Sequence, residues 1–150
     1  MIATNSFTVD TNILIYSIDR SEPAKQFVAD RIIRALYAKR AKLPLQCLNE
    51  FYRATTRKRI LGSIEATEFV QDALIFTASV SANPEDLLEA IRLHQTGEFQ
   101  FFDALLIATA ARAGCTTLFS EDLQSGRTFG SLTVRNPFAM DDVELTALIG

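Results

Sequence analysis

Sulfur, imidazole and long uncharged runs are all scarce in this sequence. Cys47 and Cys115 are the only cysteines among 150 residues. That is too few for a disulfide framework and suits core filling in a reducing compartment, so a cytoplasmic location is expected. His94, the one histidine, has no His or Cys partner at ligand spacing, which argues against zinc; a polar helix terminus accounts for it. The longest stretch without Asp, Glu, Lys or Arg is the twelve residues from Ala73 to Pro84. A spanning helix needs about 20 apolar residues, so no membrane segment is expected. No basic start precedes an apolar run and Asp10 interrupts the only candidate, so no secretory leader is expected either. GCTTLF and GRTFGS lack the lysine and glycine spacing of a P-loop, and no nucleophile stands with a histidine in a recognisable hydrolase context.

Positive charge is also in short supply. Fifteen Lys and Arg face eighteen Asp and Glu, a net charge of -3. This excludes a basic nucleic-acid coat protein. It leaves open a protein that meets phosphates through divalent cations, because the ions bring the positive charge with them. The question becomes whether acidic residues converge.

The hydrophobic fraction of 48% against 22% charged residues excludes a disordered chain. Its length suits one domain, here residues 1–150 with a core over about 7–138. Phe7 to Asp10 reads as a buried strand that turns at once into a helix. Helical spacing of Ala24, Phe27, Val28, Ile32, Ala35 and Leu36 predicts one amphipathic helix from Glu22 to Arg40. A brief strand over Leu43 to Gln46 follows, then a helix through Leu48, Phe51, Tyr52 and Thr55 that ends near Gly62. Further helices are expected over Glu65 to Phe76, Glu85 to Gln95 and Asp103 to Ala113. Asn83 and Pro84 announce the second of these and Gly114 ends the third. Thr116 to Phe119 and Leu132 to Arg135 complete the strands. Strands alternating with helices predict an α/β domain with a mainly parallel central sheet flanked by helices.

In such folds ligands gather beyond the carboxyl ends of the strands. Asp10 ends the first strand, Asp103 opens an apolar helix, Asp122 follows the strand ending near Phe119, and Glu50 sits inside the helix after the second strand. Each alone has an ordinary explanation: Asp10 or Asp103 as a helix cap, Glu50 paired with Arg53 or Arg57, and Asp122 as a loop acid. Together they change the argument. Two carboxylates about 5 Å apart at an effective dielectric near 20 repel by about 3 kcal/mol. A four-acid cluster must therefore take up protons or hold a cation, and oxygen-only ligands favour Mg²⁺ or Mn²⁺.

FTVDTNILIY, CLNEFYRATTRK, FFDALLIATAARAGC and LFSEDLQSG, in that order and at these spacings, resemble the PIN-domain family, and more narrowly its VapC-type ribonuclease toxins. The resemblance runs from Phe7 to about Phe138, where TVRNPF resembles the closing strand. It implies an acidic quartet of Asp10, Glu50, Asp103 and Asp122, with Asn12 and Ser120 as supporting polar residues. Glu121 falls where the family is variable. The implied activity is Mg²⁺- or Mn²⁺-dependent cleavage of RNA. The implied partners are the RNA substrate, a small antitoxin and a second copy of the chain. The helices Glu22 to Arg40 and Glu65 to Phe76 are the faces on which to look for protein partners. Arg53 and Arg57, one and two turns beyond Glu50, are candidates for the phosphates flanking the cut. Lys58 and Arg59 read as a solvated helix end, and Phe99, Phe101 and Phe102 as core.

Two other readings compete. An aspartyl-phosphate enzyme of the haloacid-dehalogenase type also begins with Asp after its first strand, but it carries a second acid where this chain has Asn12. A PIN-like module that binds RNA or protein without cutting is the other, and all four acids being present counts against it.

Overall fold

The computed structural model describes residues 5–150. All three residues of β1 (Phe7–Val9) are buried, and the chain leaves it at Asp10 for the short helix α1 (Thr11–Tyr16). α2 (Pro23–Ala38) opens on a proline, whose missing N–H is harmless at a first helical position. β2 (Lys42–Pro44), α3 (Leu45–Arg57) and α4 (Ser63–Phe76) follow, then β3 (Ala78–Val80) and α5 (Pro84–Gln95). The start of α5 is fixed by reciprocal hydrogen bonds between Asn83 and Asp86, each side chain accepting from the other's backbone N–H at 2.9 Å. α6 (Phe101–Arg112) buries Ala104 and the run Leu106 to Ala110, and Gly114 leaves it at φ +86°. A residue with a Cβ would be strained at Gly114. The chain closes through β4 (Thr117–Phe119), β5 (Thr128–Phe129), β6 (Leu132–Arg135), a 3₁₀ turn at Pro137–Ala139 and α7 (Asp142–Ile149).

The sheet order is β1-β4-β6-β5, with β1, β4 and β6 parallel and β5 antiparallel at the edge. A second parallel pair, β2 with β3, packs beside β1. This is a mixed α/β domain with a mostly parallel sheet flanked by helices, as the alternation of elements predicted. Val9 lies opposite Phe119, and the Asp10 N–H continues the ladder to the Phe119 carbonyl at 2.9 Å. The carboxyl ends of β1 and β4 are thereby side by side. β2, in the neighbouring pair, packs against β1 and hands the chain directly to α3.

Several expectations need correction. The second strand stops at Pro44, and Leu45 and Gln46 already belong to α3, which ends at Arg57 and not near Gly62 because the chain turns at Arg59 with φ +56°. The third acidic position lies inside the first turn of α6, two residues after its start at Phe101. Phe102 is 60% exposed and not core, because the face of α6 that carries it meets no covering element; Phe99 and Phe101 do pack against the core. β3, β5 and α7 are further elements that the hydrophobic pattern left unread. His94 is exposed, its Nδ1 2.9 Å from the Phe99 carbonyl. Both cysteines are buried free thiols. Among the described residues, no helix is long and apolar enough to cross a membrane.

Candidate active site

Asp10 caps α1 and stands just beyond the end of β1. Its carboxylate accepts from the Thr11 N–H at 2.6 Å, capping α1, and from the Ser120 hydroxyl at 2.9 Å. Only 8% of it is exposed, and burial pushes its pKa up to about 6 against the lowering by those two hydrogen bonds; the charges of Asp103 and Glu50 add to the rise. Half-buried Asp103 also has its pKa raised, first by desolvation and then by Glu50 and Asp122. It caps nothing, since the cap of α6 is Gln100, and its carboxylate has no hydrogen-bond partner among the described residues. An acid left bare near other acids has a poor structural reason to be there.

Glu50 faces inward from α3. Its oxygens accept from the Thr11 hydroxyl at 2.6 Å and from the Gln46 amide at 2.9 Å. Neither Arg53 nor Arg57 pairs with it, so the ordinary explanation of Glu50 as half of a helical ion pair fails. Asp122 is exposed on the stretch after β4 and accepts from the Asn12 amide. Asn12 and Ser120, the two supporting positions, each touch one acid of the quartet. Thr11 and Gln46 do the same for Glu50, and the sequence reading passed over both. The signal was available for Gln46, which stands four residues before Glu50 on the same face of one helix. Gln46 also reaches the Phe102 carbonyl at 2.8 Å, tying α3 to the turn that carries Asp103.

Charge repulsion links Asp10 with Asp103 and Glu50, and Asp103 with Glu50 and Asp122, so the four acids form one group beyond the ends of β1 and β4, each held by neutral donors or by none. None of the ion pairs among the described residues involves any of them. The negative charge is left uncompensated. Among the described residues no three acids close on a single point as chelating ligands do. The donor set nevertheless suits a hard divalent cation: oxygens only, excess negative charge, and a buried carboxylate that is costly to ionise without a cation beside it.

A family model for the PIN domain matches residues 7–128, a span that contains all four acids. The chain belongs to the PIN-domain family. That family is one of nucleases and generally uses divalent metals. The fold is also similar to that of VapC20 from Mycobacterium tuberculosis, a toxin described as cleaving the sarcin-ricin loop. The match has a TM-score of 0.59 at 18% identity and covers 78% of this chain and 90% of that one. No curated protein matches the chain in sequence.

Two further groups flank the site of this PIN domain. Arg53 and Arg57 are exposed on α3 and line, with Glu50, Ala54 and Lys58, a depression of about 410 Å³. Glu121 turns away from the four acids. It meets Lys25 and the Tyr16 hydroxyl, both at 2.8 Å.

Proposed function

We propose that this PIN domain is a metal-dependent endoribonuclease acting as the toxin of a toxin–antitoxin pair. The observation that carries the reading is the uncompensated group of four carboxylates, with burial pushing the Asp10 pKa up to about 6 and none of the ion pairs among the described residues involving them. Asp10, Glu50, Asp103 and Asp122 would hold Mg²⁺ or Mn²⁺. Such an ion, when bound, supplies Lewis-acid polarisation of the scissile phosphate and neutralises charge on the leaving oxygen.

The residues of the chain divide the remaining work. Ser120 and Thr11 fix Asp10, Thr11 and Gln46 fix Glu50, and Asn12 fixes Asp122, so the carboxylates are oriented before substrate arrives. A carboxylate not saturated by donors, of which Asp103 is the barest, accepts the proton of the attacking water. The decisive experiment is turnover on structured and unstructured RNA with Mg²⁺ or Mn²⁺ and then with chelator. Cleavage is expected with metal and none with chelator. RNA binding without cleavage in every metal tested would instead make the chain an inert PIN-like module.

Arg53 and Arg57 contact the backbone phosphates on the α3 side of the cut. Binding of single-stranded RNA releases counterions with a slope of about -0.7 per phosphate neutralised. Arg53→Ala with Arg57→Ala should therefore make log affinity against log salt shallower by about 1.4, measured by anisotropy on the Asp10→Asn background so that no RNA is cut. An unchanged slope would remove both arginines from the interface. For the antitoxin, α4 presents Ile64, Leu74, Ile75 and Phe76 to solvent and α2 presents Phe27. Co-purification with a small neighbour-encoded protein tests that pairing, and light scattering of the chain alone tests the homodimer.

A further inference from the structure

We propose that Glu121 is a positioning residue and not a metal ligand: with Tyr16 and Lys25 it clamps the turn after β4 so that its neighbour Asp122 is kept beside the other three acids. This rests on the nuclease reading. Asp122 rides on residues 120–127, which have no regular structure between the end of β4 and the start of β5. At the near end Ser120 bonds Asp10 and accepts from the Leu123 N–H at 3.2 Å; at the far end the Gly126 N–H reaches the Val134 carbonyl at 2.7 Å. Between those anchors the turn is tied to α1 through Glu121 and Asp122.

Helix α1 supplies the matching sites. Asn12 and Tyr16 are one turn apart and share a face. Asn12 donates to Asp122, while the Tyr16 hydroxyl donates to one Glu121 oxygen at 2.8 Å. Lys25, from the first turn of α2, takes the other Glu121 oxygen at 2.8 Å and lies 3.4 Å from the Tyr16 hydroxyl. Its ammonium sits 4.8 Å from the Tyr16 ring centroid and 5.6 Å from that of Phe138, and those two rings meet edge to face at 5.2 Å. The lysine is thereby held by a carboxylate and two aromatic faces. Both oxygens of Glu121 are engaged, and the cation beside them opposes a second cation. Two consecutive acids consequently do different things: one anchors the turn and the other is presented.

Removing an outer partner that orients a metal-binding carboxylate weakens metal affinity about 10- to 100-fold. Mn²⁺ titration of the full chain by calorimetry is the readout. Glu121→Ala and Lys25→Ala should each raise the Mn²⁺ Kd about tenfold. The double variant should be no worse than the weaker single, because the two residues act as one unit. Lys25→Arg should recover most of the parent affinity. The Mn²⁺ concentration for half-maximal cleavage should rise in step, with a much smaller fall in rate at saturating Mn²⁺. Tyr16→Phe, which removes one oxygen, should cost about fivefold and serves if Glu121→Ala does not fold. Mn²⁺ binding within twofold of the parent in these variants overturns the clamp alone. A loss in Glu121→Ala larger than that in Asp122→Asn makes Glu121 a ligand and also overturns it. No Mn²⁺ binding by the parent removes the clamp together with the nuclease reading.

Discussion

Replacing Asp10 by asparagine should remove RNA cleavage and, without metal, leave the folded protein more stable than its parent. The two effects have one cause. Asparagine has the shape of aspartate, keeps an oxygen for the Thr11 N–H that caps α1, and meets a Ser120 hydroxyl able to turn and accept. What is lost is the charge. In the proposed nuclease that charge would help to hold the cation, so its removal should abolish measurable cleavage. For stability it is a burden, since burial raises the Asp10 pKa from 3.8 to about 6. A rise of that size corresponds to about 3 kcal/mol of destabilisation at neutral pH, an upper bound on the gain in the variant. Urea unfolding at pH 7.5 in chelator, beside a turnover assay in Mn²⁺, reads both. Asp103→Asn should lose cleavage likewise, with a smaller gain because its carboxylate is only half-buried. A metal-free Asp10→Asn protein that unfolds readily would mean that the capping role outweighs the charge. Undiminished cleavage would take Asp10 out of the site.

The grouping of the acids was more legible in the sequence than the margins of the fold. An acid in an apolar segment is conspicuous, and Asp10 and Asp103 each interrupt apolar runs from which most residues go to the core. Parallel pairing of β1 with β4 then brings Asp10 and Ser120 together, a contact across 110 positions that no local pattern contains. The division of labour between Glu121 and Asp122 was illegible for the same reason. It depends on Tyr16 and Lys25, which no local pattern links to that turn. β3 was missed because Ala78–Val80 has no alternation of its own and becomes a strand by pairing with β2. α7 did carry a signal, an Asp141 side chain accepting from the Glu144 N–H at 2.8 Å followed by buried Leu145 and Ile149. It lay past the end of the family resemblance and went unread. Phe102 shows the opposite limit: its neighbours in sequence are apolar, but its side chain is exposed in space.

The same buried charge predicts how metal and acid trade places. With its pKa raised in the folded state, Asp10 keeps its proton between about pH 4 and pH 6 when the unfolded chain has already lost it. The native state binds more protons over that window, so the Asp10 contribution favours folding at low pH and is lost as pH rises through about 6. This is the reverse of a salt-bridged carboxylate. A divalent ion must displace that proton, so affinity should fall about tenfold for each pH unit below 6. If Mn²⁺ is present at a hundred times its Kd at pH 7.5, ligand linkage gives about 2.7 kcal/mol of added stability. At pH 5 the same concentration amounts to roughly nine times the weakened Kd and should add about 1.4 kcal/mol. Thermal unfolding with and without Mn²⁺ across pH 5 to 8 measures the difference. In the Asp10→Asn protein the stabilisation should be small at every pH, because the carboxylate for which proton and metal compete is gone. A Mn²⁺-induced shift in the parent that is large and independent of pH would place the ion away from Asp10, among groups that are already ionised at pH 5.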